Sequence, residues 1–270
     1  MHDTPRDCDA QGLDRELAGE SVRFLAAHAL WWPRLRTVFV ADVHLGKTES
    51  FRALGVPVPS GPTGATLDRL ARLVLACSAE RLVVLGDLLH ARAAQSDAVM
   101  TPFRAWRRAH AALTVTLVRG NHDGHAGDPP ADLAIEAVDA PHALGPFALC
   151  HDHTDGLRHE DADVAPAQRR LSQPLDSPGY RLEGHLHPAV RLSARVGRSV
   201  RLPCFCIGPT RTLLPAFGDF TGTALIRPAS DESILAIARG QLLALPPATA
   251  SRQHPARRAI GRTAPTEPEC

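Results

Sequence analysis

One feature of this sequence restricts its fold more than any other. Short apolar runs are followed by clusters of acidic, amide and histidine side chains. The runs end near residues 42, 87, 123 and 153, and they are rich in Val, Leu and Phe, as buried strands are. Helical spacing over residues 67–77 and 96–111 separates them. This alternation predicts an α/β domain with its polar residues gathered at strand ends. The clusters are Asp42-x-His44, Gly86-Asp87-x-x-His90, Gly120-Asn121-His122-Asp123, His151 and Gly184-His185-x-His187.

The remaining sequence predicts one folded domain between two polar ends. From residue 180 onward, apolar stretches separated by turns indicate a second, mainly antiparallel sheet built from hairpins. Residues 1–18 are polar and mixed, and residues 245–270 are rich in Pro, Ala, Arg and Thr without periodicity. We therefore expect a flexible segment over 1–18, a single domain over 19–244 and a disordered tail over 245–270.

Composition and charge are those of an ordinary globular protein. Hydrophobic residues make up 44% of the 270 residues, charged residues 22%, and the formal net charge is +1. The first thirty residues contain no uninterrupted apolar stretch of the signal-peptide type, and no span long enough for a membrane helix occurs. We expect a cytoplasmic protein without a membrane partner.

The clusters together supply the donor set of a transition-metal site. Each one alone is typical of a helix cap or a satisfied polar group, but their repetition after successive strands is hard to obtain by chance. Carboxylates, imidazoles and one amide oxygen form a mixed N/O set that suits Mn, Fe or Zn better than Ca or Mg alone. The sequence therefore predicts a metal centre at the strand ends.

A nucleotide-binding loop is the competing interpretation of the first cluster. Residues 41–48 nearly match G-x-x-x-x-G-K-[ST], with Ala41 in place of the first glycine. However, this loop carries Asp42 and His44 where a phosphate-binding loop has small residues. Nor does an NTPase loop need the Gly-Asn-His-Asp and Gly-His-Leu-His sequences downstream. A P-loop-like NTPase remains the less favoured alternative.

In their order and spacing, the clusters resemble the calcineurin-like metallophosphoesterase superfamily over residues 42 to 187. The resemblance implies a four-layer α/β/β/α sandwich of two mixed β-sheets flanked by helices. It also implies two divalent metal ions, manganese first with iron or zinc as alternatives, and in-line attack on a phosphodiester by a hydroxide that bridges them. One ion would be bound by Asp42, His44, Asp87 and His187, and the other by Asp87, Asn121, His151 and His185.

The same resemblance suggests roles for residues that do not bind metal. His122 resembles the family histidine that steadies the phosphoryl group and protonates the leaving group, with a structural histidine as the alternative. His90 follows Gly-Asp-x-x, as does a histidine that contributes to cleavage in SbcD-like DNA nucleases; orienting a metal ligand is its alternative role. Lys47, the single lysine of the chain, and Arg52 follow Asp-x-His closely, so we expect both to meet substrate.

A closer resemblance, over about residues 20 to 240, is to the PdeM family of ligase-associated DNA damage response phosphoesterases. It is carried by the stretch that begins at Asp42-Val43-His44 and by the sequences GDLLH, GHLHP and LPCF. The resemblance implies a manganese-dependent DNA phosphodiesterase or endonuclease, with a DNA ligase, a helicase and an exonuclease-like protein as its repair group. A small-molecule phosphodiesterase of the cyclic-nucleotide type is the alternative, because it shares every metal ligand. A non-enzymatic scaffold is less favoured, since every ligating position is filled.

Two further choices depend on sequence position alone. We prefer His151 to His153 as the metal ligand because His151 stands directly after the apolar run 147–150. The hairpin that follows Gly184-His185-x-His187 carries arginines without an intervening acid, which indicates either a grip on a phosphodiester backbone or a solvated charged face. These arginines are Arg191, Arg195, Arg198 and Arg201.

Overall fold

Two β-sheets packed face to face form the frame of the protein, in a computed structural model that describes residues 12–58, 61–152, 179–193, 199–219 and 221–246. The first sheet has seven strands in chain order, antiparallel from β1 to β4 and parallel from β4 to β7. Its strands are β1 Gly12–Leu17, β2 Glu20–Leu25, β3 Ala29–Trp32, β4 Thr37–Ala41, β5 Arg81–Leu85, β6 Thr114–Val118 and β7 Ile135–Val138. The parallel half therefore brings the ends of β4, β5 and β6 to one edge.

Helices cover the face of the first sheet that is turned away from the second. Within the described ranges they are α1 Lys47–Ala53, α2 Pro62–Ala76, α3 Asp97–Ala109 and α4 Asn121–Ala126, with short 3-10 turns at Pro33–Leu35, Arg92–Gln95 and Ala131–Leu133. Each helix follows a strand of the parallel half, which is the expected connection between parallel neighbours. Leu70 of α2 and Phe103 of α3 pack in one cluster with Val84 of β5, so the apolar stripes seen in the sequence face this sheet.

The second sheet is mixed, and five of its eight described strand pairs are antiparallel, as the sequence suggested for most of this sheet. Its strands run in the order β14-β11-β12-β13-β10-β9-β8, with β15 paired to β12 and β16 to β15. They are β8 His142–Leu144, β9 Phe147–Leu149, β10 Tyr180–Glu183, β11 Pro188–Ser193, β12 Ser199–Ile207, β13 Arg211–Leu213, β14 Ala224–Leu225, β15 Ser233–Ala238 and β16 Gln241–Leu245. Strand β10 is parallel to both β9 and β13 because the chain returns to it through long connections instead of tight turns.

Aromatic side chains fill the space between the two sheets. Trp32 of the first sheet meets Phe147 of the second edge-to-face, with ring centroids 4.9 Å apart. Phe24 and Phe205 make a similar contact at 5.0 Å. Such pairs combine large buried area with a favoured ring geometry, so they fix how one sheet sits on the other. Two mixed sheets with flanking helices confirm the α/β metallophosphoesterase sandwich expected from the sequence.

Part of the segment expected to be flexible forms a strand. Residues 12–17 lie in the segment expected to be flexible, yet they form β1 and pair with β2 along its whole length. Only Leu17 of this strand is buried, and the Arg23 guanidinium holds the Asp14 carboxylate with bonds of 2.6 and 2.7 Å. An edge strand with polar, exposed side chains leaves little hydrophobic signal, which explains why the sequence did not indicate this strand.

The other expected boundaries fall mostly outside the described residues. Of the predicted tail over 245–270, only residues 245 and 246 are described, and the single domain over 19–244 stays a prediction. In the described part of the chain, no helix has the length and apolar character needed to cross a membrane.

Phe205→Ala should lower the free energy of unfolding by about 3–5 kcal/mol, because it leaves a cavity between the two sheets. Val200→Ala, on a neighbouring part of the same strand but with Val200 53% exposed, should change it by less than about 1 kcal/mol. Urea unfolding in the presence of a chelator measures both variants. Equal losses in the two would show that Phe205 is not part of a tightly packed inter-sheet core.

Candidate metal centre

Residues from both sheets meet where the parallel strands end. Asp42 directly follows β4, Asp87 follows β5 after one glycine, and α4 begins with Asn121 just beyond β6. The second sheet contributes side chains that follow β9 and β10. The residues brought together in this way are the seven predicted metal ligands, Asp42, His44, Asp87, Asn121, His151, His185 and His187.

Most of these residues have left-handed backbone conformations. Side chains other than glycine rarely adopt a positive φ, and residues held in this way concentrate at functional sites. Backbone hydrogen bonds hold the chain there: the His44 N–H donates to the Asp87 carbonyl at 2.8 Å, and the Asp42 N–H donates to the Gly86 carbonyl at 3.2 Å. The φ values are 54° at Asp42, 49° at His44, 53° at Asp87, 67° at His185 and 46° at His187.

Gly86 is required by the close approach of the two sheets. Its φ is 74°, and a Cβ at this position would overlap the ring of His151. Gly86 and Asp87 therefore have different roles at the site. Gly86 leaves room for the His151 ring of the opposite sheet, and the Asp87 side chain lies next to that ring.

The first ligand group joins Asp42 and His44 of the first sheet to His187 of the second. The Nε2 atoms of the two histidines are 3.3 Å apart. The His187 Nε2 lies 3.4 Å from the Asp42 Oδ1. These atoms converge on one point between the two sheets.

The second ligand group joins Asp87 and Asn121 to His151 and His185. The His151 Nε2 is 3.3 Å from the Asp87 Oδ1 and 3.0 Å from the Asn121 Oδ1. The His185 Nδ1 is 3.1 Å from the same amide oxygen. The Asp87 Oδ2 also lies 3.7 Å from the His44 Nε2, which places this carboxylate between the two groups.

These separations fit ligands that share a metal ion. Nitrogen or oxygen ligands about 2.1 Å from one ion lie roughly 3.0–3.4 Å from one another in octahedral or tetrahedral geometry. In each His/Asp group, Asp42 with His44 and His187 and Asp87 with His151 and His185, the candidate ligand atoms all lie within 4.8 Å of one another. The residues present therefore fit a divalent metal ion bound by nitrogen and oxygen.

Two of the imidazoles are held with the correct nitrogen facing inward. The His151 Nδ1 donates to the Leu85 carbonyl at 3.0 Å, and the His187 Nδ1 donates to the Gly222 carbonyl at 2.9 Å. A carbonyl oxygen only accepts, so each Nδ1 carries the proton and a neutral ring then presents the lone pair of Nε2 to the site. This arrangement is common for histidines that bind metals.

Burial and neighbouring charges set the protonation of the ligands. Burial lowers the pKa of His44 to about 2, against the opposing effect of the Asp87 charge, and burial also lowers the pKa of His185. Burial acts to raise the pKa of Asp87, but its hydrogen bond and attraction to His151 outweigh burial and hold that pKa below its usual range. The pKa of His151 is raised, since the Asp87 and Asp42 carboxylates overcome burial. The buried negative charge of Asp87 therefore needs a cationic neighbour.

Asp123 organises the site although the sequence interpretation gave it no role. Its buried carboxylate accepts the backbone N–H groups of Asp87 at 2.7 Å, Leu89 at 3.1 Å and Gly120 at 3.0 Å. Burial raises the pKa of Asp123 in spite of these bonds. The signal available in the sequence was an acid three residues after Gly120, the position that closes the first turn of a helix.

His122 and His90 border the two ligand groups. The His122 N–H donates to the Asp87 Oδ1 at 2.9 Å, and its Nδ1 donates to the His90 carbonyl at 2.7 Å. The two rings stack with centroids 4.7 Å apart, and the His90 Nδ1 is 3.2 Å from the His44 Nδ1. Burial, followed by repulsion from His122 and Lys47, lowers the pKa of His90 to about 4.

The two expected substrate-binding residues lie in different surroundings. Lys47 lines a small cleft next to His44, together with three threonines, Thr48, Thr63 and Thr66. Burial lowers the pKa of Lys47, against the attraction of Asp87 and Asp42. Arg52 lies further along α1, where its Nη1 is 3.2 Å from the Glu49 Oε1 and its Nε donates to the Val58 carbonyl at 3.4 Å. Lys47 thus borders the centre, and Arg52 is held by its own helix.

Some sequence candidates lie outside the described residues. They are His153, Arg195 and Arg198. His151, the preferred alternative to His153, is buried in the centre.

The loop after β4 is not built as a phosphate-binding loop. In such a loop, backbone N–H groups point at the phosphates. Here the N–H groups of His44 and Leu45 already donate to the carbonyls of Asp87 and Leu88, at 2.8 and 2.9 Å. The Gly-Lys-Thr sequence therefore begins α1 without forming a nucleotide cradle.

Comparison with known families agrees with this centre. The model of the calcineurin-like phosphoesterase family matches residues 35–174, just over half of the chain. The chain belongs to the calcineurin-like phosphoesterase family. With this membership and the His/Asp groups described above, the protein is a metal-dependent phosphoesterase, a hydrolase.

Two of the solved structures that resemble the chain differ widely in their likeness to it. The crystal structure of Pseudomonas putida nuclease MPE is 40% identical, with a TM-score of 0.68, and the match covers 86% of this chain and 100% of that one. The structure of Yfce, a phosphoesterase from E. coli, is 15% identical with a TM-score of 0.36, and the match covers 77% of this chain and 96% of that one. No curated protein sequence matches the chain significantly.

Asp123→Asn should weaken metal binding by about 10- to 100-fold, because its amide cannot accept from all three N–H groups that position Asp87 and Asn121. It should also lower the free energy of unfolding by about 1–3 kcal/mol through the unsatisfied buried donors. Calorimetric titration with Mn²⁺ and urea unfolding measure the two effects.

Asp132→Asn is the matched control for this change. Asp132 is exposed and pairs with Arg104 at 2.6 Å on the surface, so its loss should leave both quantities nearly unchanged. Metal affinity of Asp123→Asn equal to that of the control would contradict the positioning role of Asp123.

Proposed function

We propose that the protein is a binuclear metal-dependent phosphodiesterase that cleaves DNA and acts in DNA repair. The observation that carries the proposal is the pair of ligand groups that meet at Asp87, each drawn from both sheets. The likeness to a solved nuclease over its whole length supports a nucleic-acid substrate. The repair role and the group of a DNA ligase, a helicase and an exonuclease-like protein come from the sequence resemblance.

Two divalent ions, manganese first with iron or zinc as alternatives, would be held by the residues of the two groups. Asp87 would bridge them, since its two oxygens face different groups. When bound, such a pair lowers the pKa of water and offsets charge on the phosphate oxygens during in-line displacement. The backbone carbonyls behind His151 and His187 keep these rings in the ligating tautomer.

His122 is proposed as the residue that contacts the reacting phosphoryl group. Its backbone N–H and its Nδ1 are both engaged, so the ring is fixed and Nε2 points to the site, 3.9 Å from the Asp87 Oδ2. Its side chain is 37% exposed, which leaves this nitrogen within reach of substrate. Because Nδ1–H is donated to His90, Nε2 carries a proton only in the charged ring, and His122 would act on the leaving oxygen as an imidazolium.

His90 is proposed as a positioning residue for His122. Its carbonyl accepts the His122 Nδ1 proton, and its ring stacks on the same imidazole. Both contacts fix the direction of the His122 Nε2. His90 would therefore act through His122 and need not touch the reacting phosphate.

Lys47 and Arg52 are proposed to meet the substrate beyond the metals. Lys47 places an ammonium in the cleft beside His44, where a phosphate oxygen of a bound diester would offset its charge. Arg52 would reach the substrate only by leaving Glu49. We therefore expect a larger effect on KM from Lys47→Gln than from Arg52→Gln.

A small phosphodiester of the cyclic-nucleotide type is the alternative substrate, because the ligand groups alone do not select the alcohol that leaves. Cleavage of supercoiled plasmid and of a cyclic nucleotide, measured side by side with Mn²⁺, distinguishes the two classes. Nicking of the plasmid with no turnover of the cyclic nucleotide is the expected result, and the reverse would replace DNA as the substrate. The cytoplasmic location also stays a prediction from the sequence.

Asp87→Asn should abolish Mn²⁺-dependent hydrolysis of an aryl phosphodiester, because the variant loses the charge shared by the two ligand groups. Wild-type protein should hydrolyse the diester with Mn²⁺ and lose this activity with chelator. Asp139→Asn, an exposed partner of Arg119, serves as the control and should keep wild-type activity. Chelator-resistant hydrolysis in the wild type, or full activity in Asp87→Asn, would overturn the metal-dependent mechanism.

His122→Ala should lower kcat for the same diester by about 10²–10⁴-fold while metal binding stays close to wild type. His125→Ala, one turn further along α4 and exposed, is the matched control and should change neither. Steady-state kinetics and Mn²⁺ titration separate the two effects. If kcat were unchanged while metal affinity fell, His122 would be a structural residue of the metal centre.

A further inference from the structure

Two arginines stand directly opposite each other on the hairpin formed by β11 and β12. Arg191 and Arg201 are register partners, and both are exposed. Neither guanidinium makes an ion pair within the part of the chain that the structure describes. Like charges directly opposite on neighbouring strands destabilise a sheet. The hairpin therefore carries a repulsive pair that no acidic side chain of the described residues offsets.

The sequence around the hairpin contains no acidic residue that would neutralise this positive charge. From Gly184 to Gly218 the chain contains no Asp or Glu. An ordinary solvated surface mixes both signs of charge, as the Arg23–Asp14 pair does on β1 and β2. The uncompensated pair is instead suited to an anion that comes from outside the chain.

The hairpin begins at the metal centre and extends away from it. Strand β11 begins at Pro188, immediately after the metal-ligand candidate His187. Arg191 is four residues further, which corresponds to about 13 Å at the usual rise of about 3.3 Å per residue. In a DNA duplex each strand advances about 3.4 Å per phosphate along the axis, so this distance corresponds to about four phosphates of one strand.

The two arginines also lie on the face of the sheet that is turned to the first sheet. Side chains two residues apart on a strand share a face, so Arg201 lies on the same face as Pro203 and Phe205. The Phe205 ring contacts Phe24 of the first sheet. The metal-ligand groups are built from both sheets, so a strand of nucleic acid lying across them would continue along this face.

We propose that Arg191 and Arg201 form a phosphate-binding pair for the backbone of a nucleic-acid strand whose scissile phosphate lies at the metal centre. Guanidinium groups bind phosphate through paired, charge-assisted hydrogen bonds and are the preferred side chains for this contact. The pair positions the strand without reading its bases. This inference depends on the proposed function, because it assumes that the diester cleaved by the protein is part of a polynucleotide.

Equilibrium binding of a fluorescent DNA duplex to the full chain, in chelator so that no strand is cut, tests the pair. The salt dependence of the affinity counts phosphate contacts, with a slope of log K against log salt of about −0.9 per contact. R191Q/R201Q should reduce the steepness of this slope by about 2 and weaken binding about tenfold at low salt. R191K/R201K should keep most of the slope, because the charge is retained.

R72Q/R108Q is the charge-matched control, since Arg72 and Arg108 are exposed on α2 and α3, which cover the first sheet. It should keep the wild-type slope. All variants should hydrolyse the aryl phosphodiester at the wild-type rate with Mn²⁺. The unfolding temperature of R191Q/R201Q should not fall, because the variant relieves repulsion.

A wild-type slope in R191Q/R201Q, an equal loss in R72Q/R108Q, or a wild-type protein that does not bind DNA would each overturn the proposed pair. The aryl diester measurement reports separately on the proposed chemistry. Hydrolysis of that diester without DNA binding would refute the pair and the DNA substrate and leave the phosphodiesterase standing. Absence of diester hydrolysis together with a reduced salt slope would refute the phosphodiesterase, and Arg191 and Arg201 would then be phosphate contacts for DNA binding without cleavage.

Discussion

Buried carboxylates that accept backbone N–H groups hold the centre together. Asp123 gathers the loops after β5 and β6 by accepting from Asp87, Leu89 and Gly120. Asp42 does the same between the sheets, since its oxygens accept the His185 N–H at 3.1 and 3.0 Å. Charge-assisted bonds of this kind are strong where water is excluded. The ligand side chains keep their directions because these loops are fixed, and the left-handed backbones can persist for the same reason.

The residue types of the centre could be predicted from the sequence because parallel strands end at a common edge. Asp42, Asp87 and Asn121 each follow an apolar run, and that position alone indicates a site. Asp123 could not be assigned in this way, since its role depends on N–H groups of a loop 36 residues away in the chain. The contact of His122 with the His90 carbonyl is likewise tertiary. Which ring nitrogen faces the site follows only from such contacts.

The fold was predictable where hydrophobic periodicity is strong and less so where it is weak. The apolar stripe of α2 and the apolar runs of β4 to β6 could be recognised in the sequence as a helix and as buried strands. Strand β1 gave almost none, because an edge strand keeps its place through the backbone ladder while most of its side chains meet water. The mixed sheets were expected only from the family resemblance, because strand direction depends on how long connections return, which local sequence does not encode.

Each ligand group contains residues from both sheets. The aromatic layer that fixes how the sheets pack therefore also fixes the distances between the ligands. A metal ion bound by Asp42, His44 and His187 would cross-link the two sheets. Sliding of the sheets would pull the three ligands apart, so the same displacement would weaken both packing and coordination. Loading with metal would consequently raise the resistance of the whole sandwich to unfolding, by the free energy of binding to the folded state. Side chains such as Trp32, which belong to neither ligand group, would thereby help to set metal affinity.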